Sequence, residues 1–162
     1  MSIQVGESVP NITLKTLGEA GLEALETGAY FAGRKVVVFG VPGAYTPGCS
    51  KVHLPGFVAT ADSIKAGGVD AIACLAVNDP WVMDAWISGA GGAGKIDALP
   101  DGNGELTAAI GLSVDLGAAC LGTRCKRFMA VVEDGRITSI DVEPAKDIGV
   151  SSAENCLVRL GG

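Results

Sequence analysis

The residues Val36–Phe57, VVVFGVPGAYTPGCSKVHLPGF, decide how the chain is read. Val36, Val37, Val38 and Phe39 form a continuous β-favouring apolar run, which predicts a strand covered on both faces. Gly40, Pro42 and Gly43 end it and turn the chain. Thr46 then stands as a helix N-cap, with Pro47 at the first helical position, where a missing N–H costs nothing. Cys49 falls third in that turn, among backbone N–H groups without intrahelical acceptors and at the positive end of the helix dipole. Such a place favours thiolate over thiol, and the thiolate is the nucleophile. Thr46 is placed to accept the Cys49 N–H while pointing its own proton at the sulfur or at a bound oxygen. Gly48 and Ser50 flank the cysteine. His53 lies one helical turn beyond it on the same face, and Pro55 predicts a kink near Leu54.

Working outward, Ile12–Lys15 reads as a short strand and 18–33 as a loop with a weak helix. After the central strand, roughly 35–41, and the helix from Pro47, Phe57, Ala61 and Ile64 make a core face that ends at Gly67-Gly68. Val69–Val77 predicts a second strand beside the first. Asp79 and Pro80 then open a helix as N-cap and first residue, with Val82, Ala85, Trp86 and Gly89 as its stripe. A loop over 89–94, a strand over 95–99, a turn over 101–104 and a helix over 106–112 follow. Asp134-Gly135 joins Phe128–Glu133 to Arg136–Val142 and is the strongest hairpin signal in the chain. Ser151 or Ser152 caps a last helix with an Ala153, Cys156, Leu157, Leu160 stripe. This order predicts an α/β fold with a mixed central sheet and helices on both faces, built as one domain over 1–162.

Composition narrows the function. A net charge of −6, with no basic stripe, argues against nucleic-acid binding. No apolar run reaches the roughly 18 residues of a membrane span, and the first residues lack the pattern of a secretory leader. The expectation is a cytoplasmic protein, or an organellar one if a presequence has been removed. Five cysteines stand at 49, 74, 120, 125 and 156, with no CxxC pair and a single histidine, so neither a disulfide framework nor a metal centre is expected.

Arg124 and Arg127, in GTRCKRFM, enter an apolar strand. That is a poor place for a guanidinium unless it meets an anion or acceptor, and one beside Cys49 would stabilise its thiolate. The bland alternative is a solvated arginine at a strand edge. His53 fits a structural or supporting place better than a catalytic one. A cysteine hydrolase using Cys49 and His53 would also need an orienting group and an oxyanion hole. A peroxide sensor that reports through Cys49 would use the same residues as an enzyme, and only kinetics would separate the two.

VPGAYTPGCSKVHLPGF resembles the active-site segment of peroxiredoxins, whose Pro, Thr and Cys are here Pro42, Thr46 and Cys49. HLPGF, CLAVNDPWVMDAW and GTRCKRFMAVVEDGRI resemble the peroxiredoxin-5 (type II, atypical two-cysteine) subfamily, and the likeness runs through the whole chain. Tyr45 departs from the usual phenylalanine. The resemblance implies a thioredoxin-like fold and a thiol-dependent peroxidase acting on hydrogen peroxide and small alkyl hydroperoxides without a cofactor. Cys49 would attack the distal peroxide oxygen and become a sulfenic acid. Thr46 and the Cys49 N–H would hold the peroxide oxygens, Arg127 would stabilise thiolate and leaving oxygen, and Pro42 would shield the sulfur. Gly48, His53 and Arg124 would line or support the site. Ser151 and Ser152 stand where some animal members carry a resolving cysteine. Cys74 sits where plant type II members carry a cysteine, and is the candidate resolving residue, although its strand position predicts burial. Cys156 is read as core. Cys120 and Cys125 are read as loop cysteines, Cys125 with a pKa depressed by its two arginine neighbours. The working expectation is a one-cysteine cycle reset by glutathione with glutaredoxin, or by thioredoxin, in a homodimer that meets through the Tyr45 turn and the Pro80–Trp86 region.

Overall fold

The computed structural model describes residues 1–145 and 147–161. Its central sheet has five strands: β3 (Lys35–Gly40), β4 (Ala71–Ala76), β5 (Asp97–Pro100), β8 (Phe128–Glu133) and β9 (Arg136–Val142), in the order β5-β4-β3-β8-β9. β3, β4 and β5 run parallel, while β8 and β9 are antiparallel to their neighbours. The uninterrupted apolar runs of β3 and β4 put them inside, where both faces are covered.

Side-chain alternation sorts these strands into two cores. One face carries Val37, Phe39, Ile72, Cys74, Ala76, Met129 and Val131. It packs against α2 (Leu54–Ala66), α3 (Pro80–Gly89) and α5 (Ala153–Gly161), and Cys49 belongs to this cluster. The other face, with Val36, Val38, Ala73, Leu75, Ala130 and Val132, meets Phe31 of α1 (Thr27–Phe31) and Leu106 of α4 (Glu105–Ala109). The mixed sheet with helices on both faces is therefore as expected.

Several local elements differ from the sequence reading. The strand read at Ile12–Lys15 is present as β1 (Thr13–Gly18), but part of the expected loop is a second strand, β2 (Gly21–Glu26), which pairs with β1 as a hairpin with Gly21 at φ 107. Leu22, Leu25 and the glutamates of LEALE suit a helix by propensity, and pairing with β1 overrides it. The core stripe of α3 is Met83, Trp86 and Ile87, whereas Ala85 and Gly89 are exposed. α4 is one short turn rather than a helix over 106–112. Cys125 lies in β7 (Thr123–Cys125), paired with β6 (Ser113–Asp115), and is buried rather than in a loop.

The predicted hairpin at Asp134-Gly135 is present, with φ 47 and 77 at its two central residues, the backbone that a tight two-residue turn between twisted strands needs. Asp79 caps α3 by accepting the Val82 N–H at 2.9 Å. Of the two serines before α5, Ser152 is the cap, accepting the Asn155 N–H at 3.1 Å.

Candidate active site

The chain leaves β3 at Gly40 and turns through 41–46 before the helix that carries Cys49. Backbone and side-chain hydrogen bonds hold this turn. The Val41 N–H donates to the Leu75 carbonyl at 3.0 Å. The Ala44 N–H donates to Asn78 Oδ1 at 2.9 Å. Arg124 Nη1 donates to the Pro42 carbonyl at 3.3 Å, and its Nε to the Leu121 carbonyl at 2.8 Å. The Thr46 hydroxyl donates to the Gly43 carbonyl at 2.7 Å. A Cβ at Gly43 would lie 2.7 Å from Arg124 Nη1 and would push the arginine tip away from Pro42. Arg124 thus braces the half-buried Pro42 from behind. Tyr45 takes φ 64, a strained conformation for a residue with a side chain, and is exposed.

The helix starts at Pro47 as read, and the Ser50 N–H makes the first helical bond, to the Thr46 carbonyl at 2.9 Å. The Thr46 hydroxyl has a different role from the one expected. Its proton is committed to Gly43, and no bond from the Cys49 N–H to its oxygen is formed among the described residues. Its lone pairs are what it can offer a substrate. Pro55 does not simply kink the helix. Residues Cys49–His53 form one π-helical turn, in which the Leu54 N–H reaches back to the Cys49 carbonyl. Widening the helix by one residue absorbs the missing Pro55 donor, and such bulges gather at functional sites.

Cys49 is fully buried, and its sulfur accepts from Arg127 Nη2 at 3.2 Å. Arg127 Nη1 meets His53 Nδ1 at 3.0 Å, and His53 Nε2 meets the Ser151 carbonyl at 2.8 Å. A carbonyl only accepts, so Nε2 carries the ring proton and Nδ1 accepts from the guanidinium. Burial, ahead of the nearby Arg127 charge, lowers the His53 pKa to about 4 against the pull of the Ser151 bond and Glu143, so the ring is neutral. Phe39 and Phe57 stack at 4.2 Å and flank this imidazole, with ring centroids 5.1 and 5.6 Å from it. With both nitrogens engaged away from the sulfur, His53 does not serve Cys49 as the base a cysteine hydrolase needs.

Gly48 lets the guanidinium through, since a Cβ there would stand 3.3 Å from Arg127 Nη2. Ser50 is tied to α3, its hydroxyl accepting from Trp86 Nε1 at 2.9 Å. Arg127 is 9% exposed, yet the carboxylate ion pairs formed among the described residues are Lys35–Glu133 and Arg159–Asp141. A buried guanidinium without a carboxylate is costly unless something else carries the negative charge, and the group at its tip is the Cys49 sulfur.

The other four cysteines are also free thiols. Cys74 shares the buried cluster of Cys49, and its pKa is pushed well above the usual thiol value, by burial first and then by Cys49 and Cys125, against Arg127. Burial raises Cys125 to about 12, the reverse of the depression expected from its arginine neighbours, whose guanidinium groups turn to Pro42 and to Cys49 instead. Cys156 is core, as read, and burial raises it to about 12. Cys120 is exposed. Among the described residues no group of three or more His, Cys, Asp or Glu is placed to hold a metal ion, and no helix is long and apolar enough to cross a membrane. The sequence reading missed Asn78, the Trp86 bond and Glu143, none of which carries a local motif.

A mixed sheet presenting a cysteine at a helix start, with a buried arginine on its sulfur, defines a thiol-based redox protein of thioredoxin-like fold. The Redoxin family model matches residues 4–157. The chain is 41% identical to Peroxiredoxin-2B of Arabidopsis thaliana over 159 residues, 98% of each chain. It superposes with a TM-score of 0.94 on reduced Prx3 of Vibrio vulnificus in complex with H2O2, at 42% identity and covering 98% of this chain and 99% of that one. For peroxiredoxin 5 of Alvinella pompejana the TM-score is 0.86 at 31% identity, covering 98% of both. The chain belongs to the peroxiredoxins of the Redoxin family, of the type II, peroxiredoxin-5-like kind. It is a thiol-dependent peroxidase. Relatives from Arabidopsis thaliana include chloroplastic and mitochondrial proteins.

Proposed function

We propose that Cys49 is the peroxidatic residue and that it reduces hydrogen peroxide and small alkyl hydroperoxides. The observation that carries this is the Arg127 contact with its sulfur, 3.2 Å from a buried guanidinium that has no carboxylate partner among the described residues. The thiolate attacks the distal oxygen of the hydroperoxide. The S–O bond forms as the O–O bond breaks, sulfur is oxidised to the sulfenic acid, and the leaving oxygen takes a proton and departs as water or alcohol. Thr46 accepts the hydroperoxide O–H with its free lone pairs. The Cys49 N–H, one of the unpaired donors of the first turn, and Arg127 stabilise the charge that moves onto the leaving oxygen. Pro42 shields the sulfur from water, Gly48 gives Arg127 its passage, and Arg124 braces the turn. The hydrogen peroxide bound to the related Vibrio protein supports a hydroperoxide as substrate.

External thiol then attacks the sulfenic acid and releases water. A second thiol cleaves the mixed disulfide and restores Cys49. Glutathione with glutaredoxin, or thioredoxin, is the proposed reductant. Burial of Cys74 in the β4 strand favours this one-cysteine cycle over an internal disulfide. Turnover of Cys74→Ser with each reductant tests it: activity should persist, and complete loss would make Cys74 the resolving residue. Exposed Tyr45 and Trp81, on elements joined by the Ala44–Asn78 bond, support a homodimer through this face, to be checked by sedimentation. A single domain over 1–162 and a cytoplasmic location complete the proposal. Cell fractionation tests the location, and recovery in an organelle would overturn it.

A further inference from the structure

We propose that Glu143 is a positioning residue for peroxide reduction, holding through Ser151 and His53 the aim of Arg127 at Cys49. The inference rests on the roles given above to Cys49 and Arg127.

Glu143 follows β9, is 9% exposed and, among the described residues, forms no side-chain hydrogen bond with the sulfur or the guanidinium. Its Oε1 accepts three bonds, from the Gly149 N–H at 2.6 Å, the Ser151 N–H at 2.8 Å and the Ser151 hydroxyl at 2.7 Å. They tie Gly149 and Ser151 to Glu143 and hold by its N–H and hydroxyl the residue whose carbonyl faces His53. The Glu143 N–H also donates to the Arg127 carbonyl at 2.9 Å. One residue thus grips the Arg127 main chain directly and its side chain through two intermediaries. Ile148, next to Gly149 in sequence, lies beside Gly48, 3.7 Å from where a Cβ would stand.

The chemistry of the imidazole makes this linkage decisive. Its Nδ1 accepts from Arg127 only while Nε2 keeps the proton, and the Ser151 carbonyl is what keeps it there. If the loop loosens and that acceptor drifts, the ring can adopt the other tautomer. Nδ1–H would then face a guanidinium N–H, donor against donor, and Arg127 would turn from the sulfur. A loop distant in sequence from the nucleophile therefore sets the geometry of its cation.

The chain has a single histidine, so its ring nitrogens give unambiguous NMR signals. The experiment compares wild type, Glu143→Gln and Glu143→Ala by 15N spectra of His53 and by stopped-flow reaction with hydrogen peroxide. Wild type should show the Nε2–H tautomer alone. Glu143→Ala should show mixed tautomers and a rate lower by about 10-fold or more, as misplacement of a positioned group costs. Glu143→Gln keeps a weaker acceptor and should show a smaller change in both. A folded Glu143→Ala with one tautomer and the wild-type rate would overturn the proposal. If Glu143→Ala does not fold, wild-type values for both readouts in Glu143→Gln would overturn it equally. Failure of the underlying reading shows separately, as peroxide consumption that survives Cys49→Ser.

Discussion

Arg127 and Cys49 are 78 positions apart in the chain and 3.2 Å apart in space. β8, antiparallel to β3, delivers the guanidinium at the same end of the sheet where the chain leaves β3 for the Cys49 helix. The Gly40↔Phe128 register sets this meeting, since Arg127 immediately precedes Phe128 and the Cys49 turn immediately follows Gly40.

Removal of this cation should be felt in the chemical step. Arg127→Ala is expected to lower the second-order rate with hydrogen peroxide by about 10²–10³-fold, the usual cost of losing one preorganised donor at a developing charge. Arg127→Lys should recover only part of the loss, because it lacks the rigid fork whose two nitrogens reach His53 and the sulfur. Stopped-flow kinetics under pseudo-first-order peroxide measure both.

Gly48→Ala tests the passage of the guanidinium rather than its presence. The new Cβ would sit 3.3 Å from Arg127 Nη2, so the side chain must yield by a few tenths of an ångström. The peroxide rate should fall while the thermal midpoint stays close to wild type. An unchanged rate would show that the arginine has slack.

Acid should destabilise the fold through His53. Its folded pKa of about 4 lies below the unfolded 6.5, so the neutral ring contributes fully above pH 6.5. Between 6.5 and about 4 the unfolded chain takes up a proton that the folded chain refuses, and stability falls as pH falls. The loss amounts to about 3 kcal/mol across that window, at 1.36 kcal/mol per pKa unit. The Glu143 carboxyl adds to the trend at its acid end. Burial raises its pKa, but the bonds from Ser151 and Gly149 outweigh that and leave it below its usual value. Urea unfolding of His53→Gln and wild type at pH 7.5 and 5 should show a steeper fall for wild type.

Thiol labelling under native conditions should separate the cysteines. Cys120 is exposed and should react first. Cys74, Cys125 and Cys156 are buried with raised pKa values, and should stay unmodified until denaturant is added. Peptide mapping after brief alkylation reads this directly. Rapid native labelling of Cys74 would reopen the internal-disulfide cycle.

The parts of this architecture legible in the sequence are those whose signals are local. The apolar runs of β3 and β4, the Asp134-Gly135 turn, the Asp79-Pro80 cap and the Cys49 helix start all depend on neighbouring residues. The β1–β2 hairpin is less legible because LEALE, after Gly21, is made of good helix formers that pairing with β1 overrides. The Thr46 proton goes to Gly43 rather than the site because the turn bends its carbonyl within reach, which spacing alone does not show. Arg127 could be picked out as an arginine poorly placed without an acceptor, but its link to His53 spans 74 positions. Glu143 had no signal at all: a lone glutamate after a strand, whose partners lie in a loop without repeat or motif.

The most direct test is to treat reduced protein with one equivalent of hydrogen peroxide, trap it, and locate the added oxygen by intact mass and peptide mapping. A single oxygen on Cys49, as a sulfenic acid that later becomes a mixed disulfide with the external thiol, is the predicted result, together with loss of peroxide consumption in Cys49→Ser. Oxygen on another cysteine, or peroxide consumption undiminished in Cys49→Ser, would contradict it.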